Sequence, residues 1–207
     1  MDRHRHLFLE GTGLSCIRDD RLLFEGLAFK LYAGQILLLE GENGSGKTSL
    51  LRIICGFREA DSGTIRWCGE ALNDSPFYAQ MAYVGHLDGI KKELTILENL
   101  NISLALSRPG RYSIQEALKK VNLAGFDDVL VQALSAGQKR RLALARLLIT
   151  ENCLWILDEP FTSLDRPGVA LIETLMSEHC SNHGMVVLSS HHEIGLPGID
   201  VQRIHLS

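Results

Sequence analysis

The stretch GENGSGKT at residues 41–48 restricts the possible folds of this chain more than any other feature. It matches the pattern G-x-x-x-x-G-K-[ST], in which glycines let the backbone wrap closely around phosphate oxygens. The apolar run QILLLE (35–40) precedes it and is typical of a buried parallel strand. TSLLRIICGF (48–57) follows with helical spacing and a glycine near its end. A phosphate-binding loop between a buried strand and a helix predicts a nucleotide-binding α/β domain.

Every residue of this loop is a candidate phosphate contact. Lys47 supplies a positive charge for the terminal phosphates, and the Thr48 hydroxyl is a candidate ligand for Mg²⁺. We therefore predict a nucleoside triphosphate and Mg²⁺ as the bound groups. The predicted phosphate-binding set is Gly41, Glu42, Asn43, Gly44, Ser45, Gly46, Lys47, Thr48 and Ser49.

Two acidic residues end a second apolar run, CLWILDEP at 153–160. A strand here would deliver Asp158 to the carboxyl-terminal edge of the sheet, where ligands bind in open α/β folds. A carboxylate at that place holds Mg²⁺ in P-loop enzymes. Glu159 follows directly and could polarise a water for attack on the γ-phosphate. These residues predict a hydrolytic site rather than a phosphate-binding loop alone.

Strand-like and helix-like segments alternate through the second half of the chain. GMVVLSSHH (184–192) resembles a third buried strand, and GVALIETLMSEHC (168–180) has helical spacing. HLFLEGTGLSC (6–16) and TIRWCG (64–69) predict a small antiparallel sheet, and VQRIHLS (201–207) a final edge strand. We predict one α/β domain over 1–207, with a parallel core sheet, a small antiparallel β subdomain and a helical insertion at about 94–133.

A second candidate anion site lies in LSAGQKRRLALA at 134–145. Ser135 can cap a helix, and Gln138 completes a capping-box pattern. Ala136 and Gly137 have small or no side chains, so the backbone N–H groups of the first turn stay accessible to a phosphate. KRR at 139–141 places cations where the helix dipole disfavours them, which indicates either a nearby acidic group or a solvated charged face.

Composition excludes several classes of protein. The net charge of −4 gives no general reason to expect a nucleic-acid partner, and we predict none. The five cysteines form no C-x-x-C pair, which indicates reduced thiols. No stretch approaches about 18 uninterrupted apolar residues, so we expect no membrane span. His179 and His183 have a spacing that can bind metal, but without a third ligand we expect packed or capping side chains.

The order of the P-loop, LSAGQ, LWILDEP, TSLD and SSHH resembles the nucleotide-binding subunits of ABC transporters along nearly the whole chain. The resemblance implies ATP as the bound nucleotide. It also implies head-to-tail dimers in which the signature helix of one copy completes the ATP site of the other. That signature is Leu134, Ser135, Ala136, Gly137 and Gln138, where Ala136 replaces the usual first glycine. It further implies that Ser163, Leu164 and Asp165 link the two sites, and that His191 contacts the γ-phosphate as a catalytic residue beside Glu159.

Two positions depart from the family pattern. Arg18 stands where the family usually has an aromatic residue that stacks on adenine, and a guanidinium plane can also stack on a base. His86 stands where the family usually has a glutamine that contacts metal and water. We expect His86 to reach Mg²⁺ through water, to make coupling depend on pH, or to be a tolerated replacement.

Within this family, the segments RDDRLLFEGLAFKLYAGQ, GHLDGIKKELTILENL and ALARLLITENCLWILDEPFTSLD resemble the ATP-binding subunits of bacterial haem exporters used in cytochrome c maturation. This resemblance implies transmembrane ABC subunits as partners and a peripheral location on the cytoplasmic face of the inner membrane. No C-x-x-C-H occurs, and we predict no direct haem binding.

Three alternatives remain at this point. The chain could serve another small ABC exporter, or be a non-transport ABC ATPase acting on ribosomes or DNA. It could also be a nucleotide-gated binding module without turnover, although Glu159 and His191 argue against that. The absence of an N-K-x-D base-reading motif disfavours a monomeric GTPase.

Overall fold

The computed structural model describes residues 7–85, 88–192 and 194–207. The predicted metal contact His86 lies outside the described residues. Strands occupy β1 Phe8–Arg18, β2 Arg21–Tyr32, β3 Ile36–Gly41, β4 Ser62–Trp67, β5 Glu70–Ala71, β6 Met81–Val84, β7 Leu154–Asp158, β8 Met185–Ser189 and β9 Val201–Leu206. Helices occupy α1 Lys47–Ile54, α2 Phe77–Gln80, α3 Ile96–Ala105, α4 Ile114–Lys120, α5 Ala136–Ile149 and α6 Arg166–Ser181, with short 3-10 turns at Leu72–Asp74 and Val131–Ala133.

The strands form two sheets. The larger sheet is parallel, in the order β6-β7-β8-β3-β9, with β9 at one edge. The smaller sheet is antiparallel, in the order β2-β1-β4-β5. This arrangement confirms the predicted fold class, an α/β P-loop fold with a small antiparallel sheet beside a parallel core.

Residues of each central strand alternate between two hydrophobic cores, because successive side chains of a strand point to opposite faces. Trp155 and Leu157 of β7 join the core that includes buried residues of α3, α5 and α6. Leu154 and Ile156 join the core formed with α1 and the antiparallel sheet. Burial on both faces explains why the sequence of these strands is continuously apolar rather than alternating.

The longest strand of the antiparallel sheet was not apparent from the sequence. β2 spans twelve residues and pairs with β1 in a hairpin that carries register shifts after Gly11, Leu14 and Cys16. Its burial pattern is irregular, with exposed residues at both ends. A bulged, half-exposed hairpin lacks the strict alternation by which a strand is recognised in a sequence.

The segment 94–133 contains α3 and α4, and it packs against α5. Thr95 and Ser113 cap α3 and α4 through capping boxes with Glu98 and Glu116. None of the helices in the described ranges is both long enough and apolar enough to span a bilayer.

Candidate active site

The carboxyl ends of β3, β7 and β8 meet at one edge of the parallel sheet. β3 leads into the loop 41–46, β7 ends at Asp158, and β8 ends at Ser189. The pairing register places Asp158 directly beside Ser189. The predicted phosphate loop, the predicted acidic pair and His191 therefore come together because parallel strands deliver their ends to the same edge.

The phosphate loop uses glycines where other residues would clash or be strained. Gly41 has a φ of 138°, and a side chain there would collide with the carbonyl oxygen of Leu206. Gly46 has a φ of 104°, and an added Cβ would lie 3.1 Å from the Cβ of Leu23. Gly46 is also the N-cap of α1 and provides no side-chain cap, which leaves the first N–H groups of α1 without a side-chain partner.

The Lys47 ammonium lies at the centre of this loop and is 7% exposed. Its Nζ donates to the carbonyl oxygens of Gly41 at 2.7 Å and Glu42 at 3.0 Å. The same Nζ is 3.2 Å from Nε2 of His191. The Ser45 hydroxyl is buried and has no hydrogen-bond partner among the described residues. A buried hydroxyl of this kind at the phosphate loop fits a role in binding a phosphate oxygen.

Asp158 connects the phosphate loop to β8. The Thr48 hydroxyl donates to the Asp158 carboxylate, with its Oγ1 3.0 Å and 3.2 Å from the two oxygens. The Ser189 hydroxyl donates to the same carboxylate at 2.7 Å, and Asp158 is 3% exposed. A hydroxyl and a carboxylate are hard oxygen donors of the kind that Mg²⁺ prefers, so Thr48 and Asp158 fit the predicted metal.

Glu159 and His191 face each other across the end of the sheet. The Glu159 carboxylate lies 3.5 Å from His191 Nε2, and this nitrogen is also 3.0 Å from Oδ1 of Asn43. Glu159 has a φ of 48°, a left-handed conformation that costs a non-glycine residue about 1–3 kcal/mol. Its backbone N–H donates to the Ser189 hydroxyl at 2.9 Å. A carboxylate beside a histidine at the phosphate loop can accept a proton from an attacking water.

The signature segment begins α5 as predicted. Ser135 accepts a hydrogen bond from the backbone of Gln138, whose side-chain oxygen accepts one from the Ser135 N–H. A Cβ on Gly137 would lie 3.4 Å from the Ser163 carbonyl oxygen, so the signature packs against the segment 163–165. Within the described part of the chain, no hydrogen bond or ion pair joins Leu134, Ser135, Ala136, Gly137 or Gln138 to residues 41–49.

The segment Ser163, Leu164 and Asp165 leads into α6. Ser163 has a φ of 65°, and the Asp165 carboxylate caps α6 by accepting from the Gly168 N–H at 2.9 Å. The start of the signature helix, Ser163 and Glu159 line one cleft of about 560 Å³. Ala136 of the predicted signature and Ser163 of the predicted linking segment thus border the same cleft as the predicted base.

Arg18 lies at the end of β1, with 60% of its side chain exposed and its Nε 3.5 Å from an Asp19 carboxylate oxygen. The neighbouring strand β2 approaches the phosphate loop at Gly46 through Leu23 and Phe24. Among the described residues, no hydrogen bond or ion pair joins Arg18 to residues 41–49. Adenine stacking by Arg18 stays a prediction.

Two residues of the site were missed by sequence reasoning. Ser189 bonds both Asp158 and Glu159, and its signal was a polar residue at the end of an apolar strand next to the acidic pair. Arg140 is 5% exposed and bonds the loops after β6 and β7. Its signal was the cation near the start of a helix, which indicated either a nearby acidic group or a solvated charged face.

Comparisons with known proteins agree with this geometry. Residues 24–162 match the family described as ABC transporter. The cytochrome c biogenesis ATP-binding export protein CcmA of Methylococcus capsulatus is 48% identical, covering 94% of this chain and 96% of the relative. The proteins of that name in Vibrio vulnificus and Nitrosospira multiformis are 45% and 43% identical, each covering 96% of this chain and 98% of the relative.

Solved structures show the same fold. A Pyrococcus furiosus chain described as an ABC transporter ATP-binding protein superposes with a TM-score of 0.82 at 24% identity, covering 96% of this chain and 97% of that one. An ATP-binding cassette of an ABC transporter in its ADP conformation superposes with a TM-score of 0.79 at 22% identity. The match covers 96% of this chain and 87% of that one. The family match, the relatives and the site together identify this chain as a member of the ABC transporter ATPase family.

Proposed function

We propose that this chain is the ATP-hydrolysing subunit of an export complex of cytochrome c biogenesis, coupled to haem export or release of a haem-loaded chaperone. The observation that carries the proposal is the convergence of Lys47, Thr48, Asp158, Glu159 and His191 at one sheet edge. The family accounts for ATP as substrate. The names of the relatives point to export in cytochrome c biogenesis, and the sequence resemblance points to haem.

In this proposal each residue has a separate task in hydrolysis. Lys47 and the loop 41–49 hold the phosphates, and Thr48 and Asp158 would hold Mg²⁺, which supplies charge neutralisation when bound with ATP. Glu159 accepts the proton of the attacking water, and His191 contacts the γ-phosphate. The ATP of a second copy is contacted by the signature residues, Leu134, Ser135, Ala136, Gly137 and Gln138. Residues 163–165 link the two sites. The domain over 1–207, with its insertion at about 94–133, forms one nucleotide-binding unit.

The partners in this proposal are a second copy and transmembrane ABC subunits, which hold the chain at the cytoplasmic face of the inner membrane. A groove of about 450 Å³ supports docking of a transmembrane subunit. Three large apolar side chains line it and are exposed to solvent, namely Phe57 (61%), Ile102 (37%) and Leu106 (82%). The groove also includes residues of β6 and α3. The sequence YVGH at 83–86, followed by LTILENL at 94–100, resembles the loop of the family that senses the transmembrane partner. We propose no haem ligand on this chain.

The test is ATP turnover by the purified complex with Glu159→Gln. We expect this variant to bind ATP like the wild type while kcat falls about 10²- to 10⁴-fold, because the amide cannot accept the proton. It should also accumulate an ATP-bound dimer. Glu70→Gln, an exposed residue of β5, is the matched control and should keep wild-type turnover. Wild-type turnover by Glu159→Gln would show that Glu159 is not the base. If the wild-type complex itself did not hydrolyse ATP, the chain would instead be a nucleotide-gated binding module.

A further inference from the structure

The side chain of Arg140 lies inside the molecule although it belongs to the second turn of the signature helix. The residue is 5% exposed. It therefore does not lie on a solvated charged face, which was one of the two interpretations of KRR at 139–141. Its guanidinium reaches away from α5 into the space between the loop after β6 and the loop after β7. A buried guanidinium requires several acceptors, and here the backbone supplies most of them.

Three consecutive carbonyl groups accept hydrogen bonds from Arg140 on the β7 side. Nη2 donates to the carbonyl oxygens of Asp158 at 2.9 Å and Glu159 at 3.0 Å. Nε donates to the carbonyl oxygen of Pro160 at 3.1 Å. One rigid planar group therefore determines the direction of the backbone on both sides of Glu159.

The backbone that these bonds hold is one that glutamate rarely adopts. Glu159 has a φ of 48°, and such a conformation persists only where the surroundings impose it. Its N–H is held by the Ser189 hydroxyl at 2.9 Å, and its carbonyl oxygen by Arg140. The direction of the carboxylate toward His191, 3.5 Å away, depends on this conformation.

The opposite edge of the guanidinium is anchored to a separate loop. Nη1 donates to the carbonyl oxygen of Gly85 and to the Asp88 carboxylate, both at 2.9 Å. Arg146, further along α5, holds the same loop through the carbonyl oxygens of Asp88 at 3.0 Å and Gly89 at 2.9 Å. Arg140 is thus fixed from both sides, and a lysine could not replace its forked donor geometry.

We propose that Arg140 is a positioning residue for hydrolysis, which holds the Glu159 backbone in its left-handed conformation and so directs the carboxylate at the attacking water. This inference rests on the proposed function, because it assumes that Glu159 is the base. Arg140 itself has no contact with the phosphate loop among the described hydrogen bonds and ion pairs. Its removal should therefore affect the chemical step and leave nucleotide binding intact.

The experiment compares Arg140→Gln and Arg140→Lys with the wild-type complex. We expect Arg140→Gln to lower kcat about 10- to 100-fold, the size of effect that a misplaced catalytic group produces. KM and the ATP affinity of the subunit should change less than twofold. Arg140→Lys keeps the charge but not the fork, and should recover only part of the loss. Arg111→Gln removes an exposed arginine remote from these contacts and should match the wild type.

A double-mutant cycle separates positioning from a general structural role. The single-turnover rate of Glu159→Gln is compared with that of the double variant Arg140→Gln/Glu159→Gln. If Arg140 acts through Glu159, the second substitution should lower the residual rate less than twofold. An equal loss in both backgrounds, or an unchanged kcat in Arg140→Gln, would overturn the inference. If Arg140→Gln does not fold, the same cycle is measured with Arg140→Lys.

Failure of the inference and failure of the proposed function give different results. A wild-type complex without ATP turnover, or a Glu159→Gln variant with full turnover, contradicts the proposed function. If Glu159→Gln loses activity as expected but Arg140→Gln keeps full activity, only the proposed role of Arg140 is contradicted.

Discussion

His179 shows how one residue can occupy a helical apolar stripe without being apolar. Its ring stacks on Trp155, with ring centroids 3.9 Å apart and an interplanar angle of 9°. The ring fills the space beside Gly184, where an added Cβ would collide with it. Burial lowers the pKa of His179 from 6.5 to about 4, against an opposing contribution from hydrogen bonds with the backbone of Cys153 and Met185.

The lowered pKa of His179 predicts a pH-dependent stability. The unfolded chain binds a proton at this histidine below about pH 6.5, whereas the folded chain resists protonation until about pH 4, so stability falls as the pH drops through this window. Between pH 7.5 and pH 5 the loss from this residue should be about 2 kcal/mol. Urea denaturation of the wild type and His179→Phe at both pH values measures it. Equal losses in the two proteins would contradict the prediction.

Glu159 could be predicted from the sequence, whereas its conformation and its contact with Arg140 could not. The acidic residue after an apolar strand was predicted as a candidate base from its position alone. Its left-handed backbone and the contacts of Arg140 that hold it were not predictable, because Arg140 is 19 residues away and its acceptors around Glu159 are backbone carbonyls. Carbonyl groups are present at every residue and leave no signal in a sequence.

At the scale of elements, the capped helices follow local sequence rules closely. Ser113 with Glu116 and Ser135 with Gln138 form the same reciprocal capping box at the start of α4 and α5. These contacts span three residues, so local sequence suffices to predict them. The strand β2 and its bulged pairing with β1 were missed, since that register depends on a partner strand and on packing.

The groove between β6, α3 and α5 also depends on several elements, and it carries a prediction about the partner. Leu106→Glu should weaken co-purification with the proposed transmembrane subunits at least tenfold, because it places a charge in the apolar groove that we propose as their docking site. ATP binding by the isolated subunit should be unchanged. Leu130→Glu, at a residue 41% exposed outside the groove, is the control. Equal recovery of partners by both variants would argue against this groove as the docking site.

At the scale of the whole molecule, the question is whether two copies share each ATP site. The signature begins a helix whose first turn faces the cleft beside Ser163, and the described residues show no bond between it and the phosphate loop of the same chain. A head-to-tail pair would use both anion sites, because each copy would supply what the other needs.

Complementation tests this sharing directly. Lys47→Ala should lose ATP binding, and Ser135→Arg should bind ATP without hydrolysing it, because the arginine blocks the signature. A mixture of the two variants forms heterodimers with one intact site, composed of the phosphate loop of one copy and the signature of the other. We expect the mixture to hydrolyse ATP several-fold faster than either variant alone, measured as phosphate release. A mixture no faster than its components would contradict the shared site.

Local sequence was sufficient for the phosphate loop, the acidic pair, the capping box of Ser135 and Gln138 and the α/β alternation, because each depends on residues only a few positions apart or on the period of apolar residues. The contacts of Ser189 and Arg140, the stack of His179 on Trp155 and the groove at Leu106 required the folded chain. These features join segments between about 20 and 95 residues apart. Their geometry depends on strand register and buried packing, which no short stretch of sequence specifies.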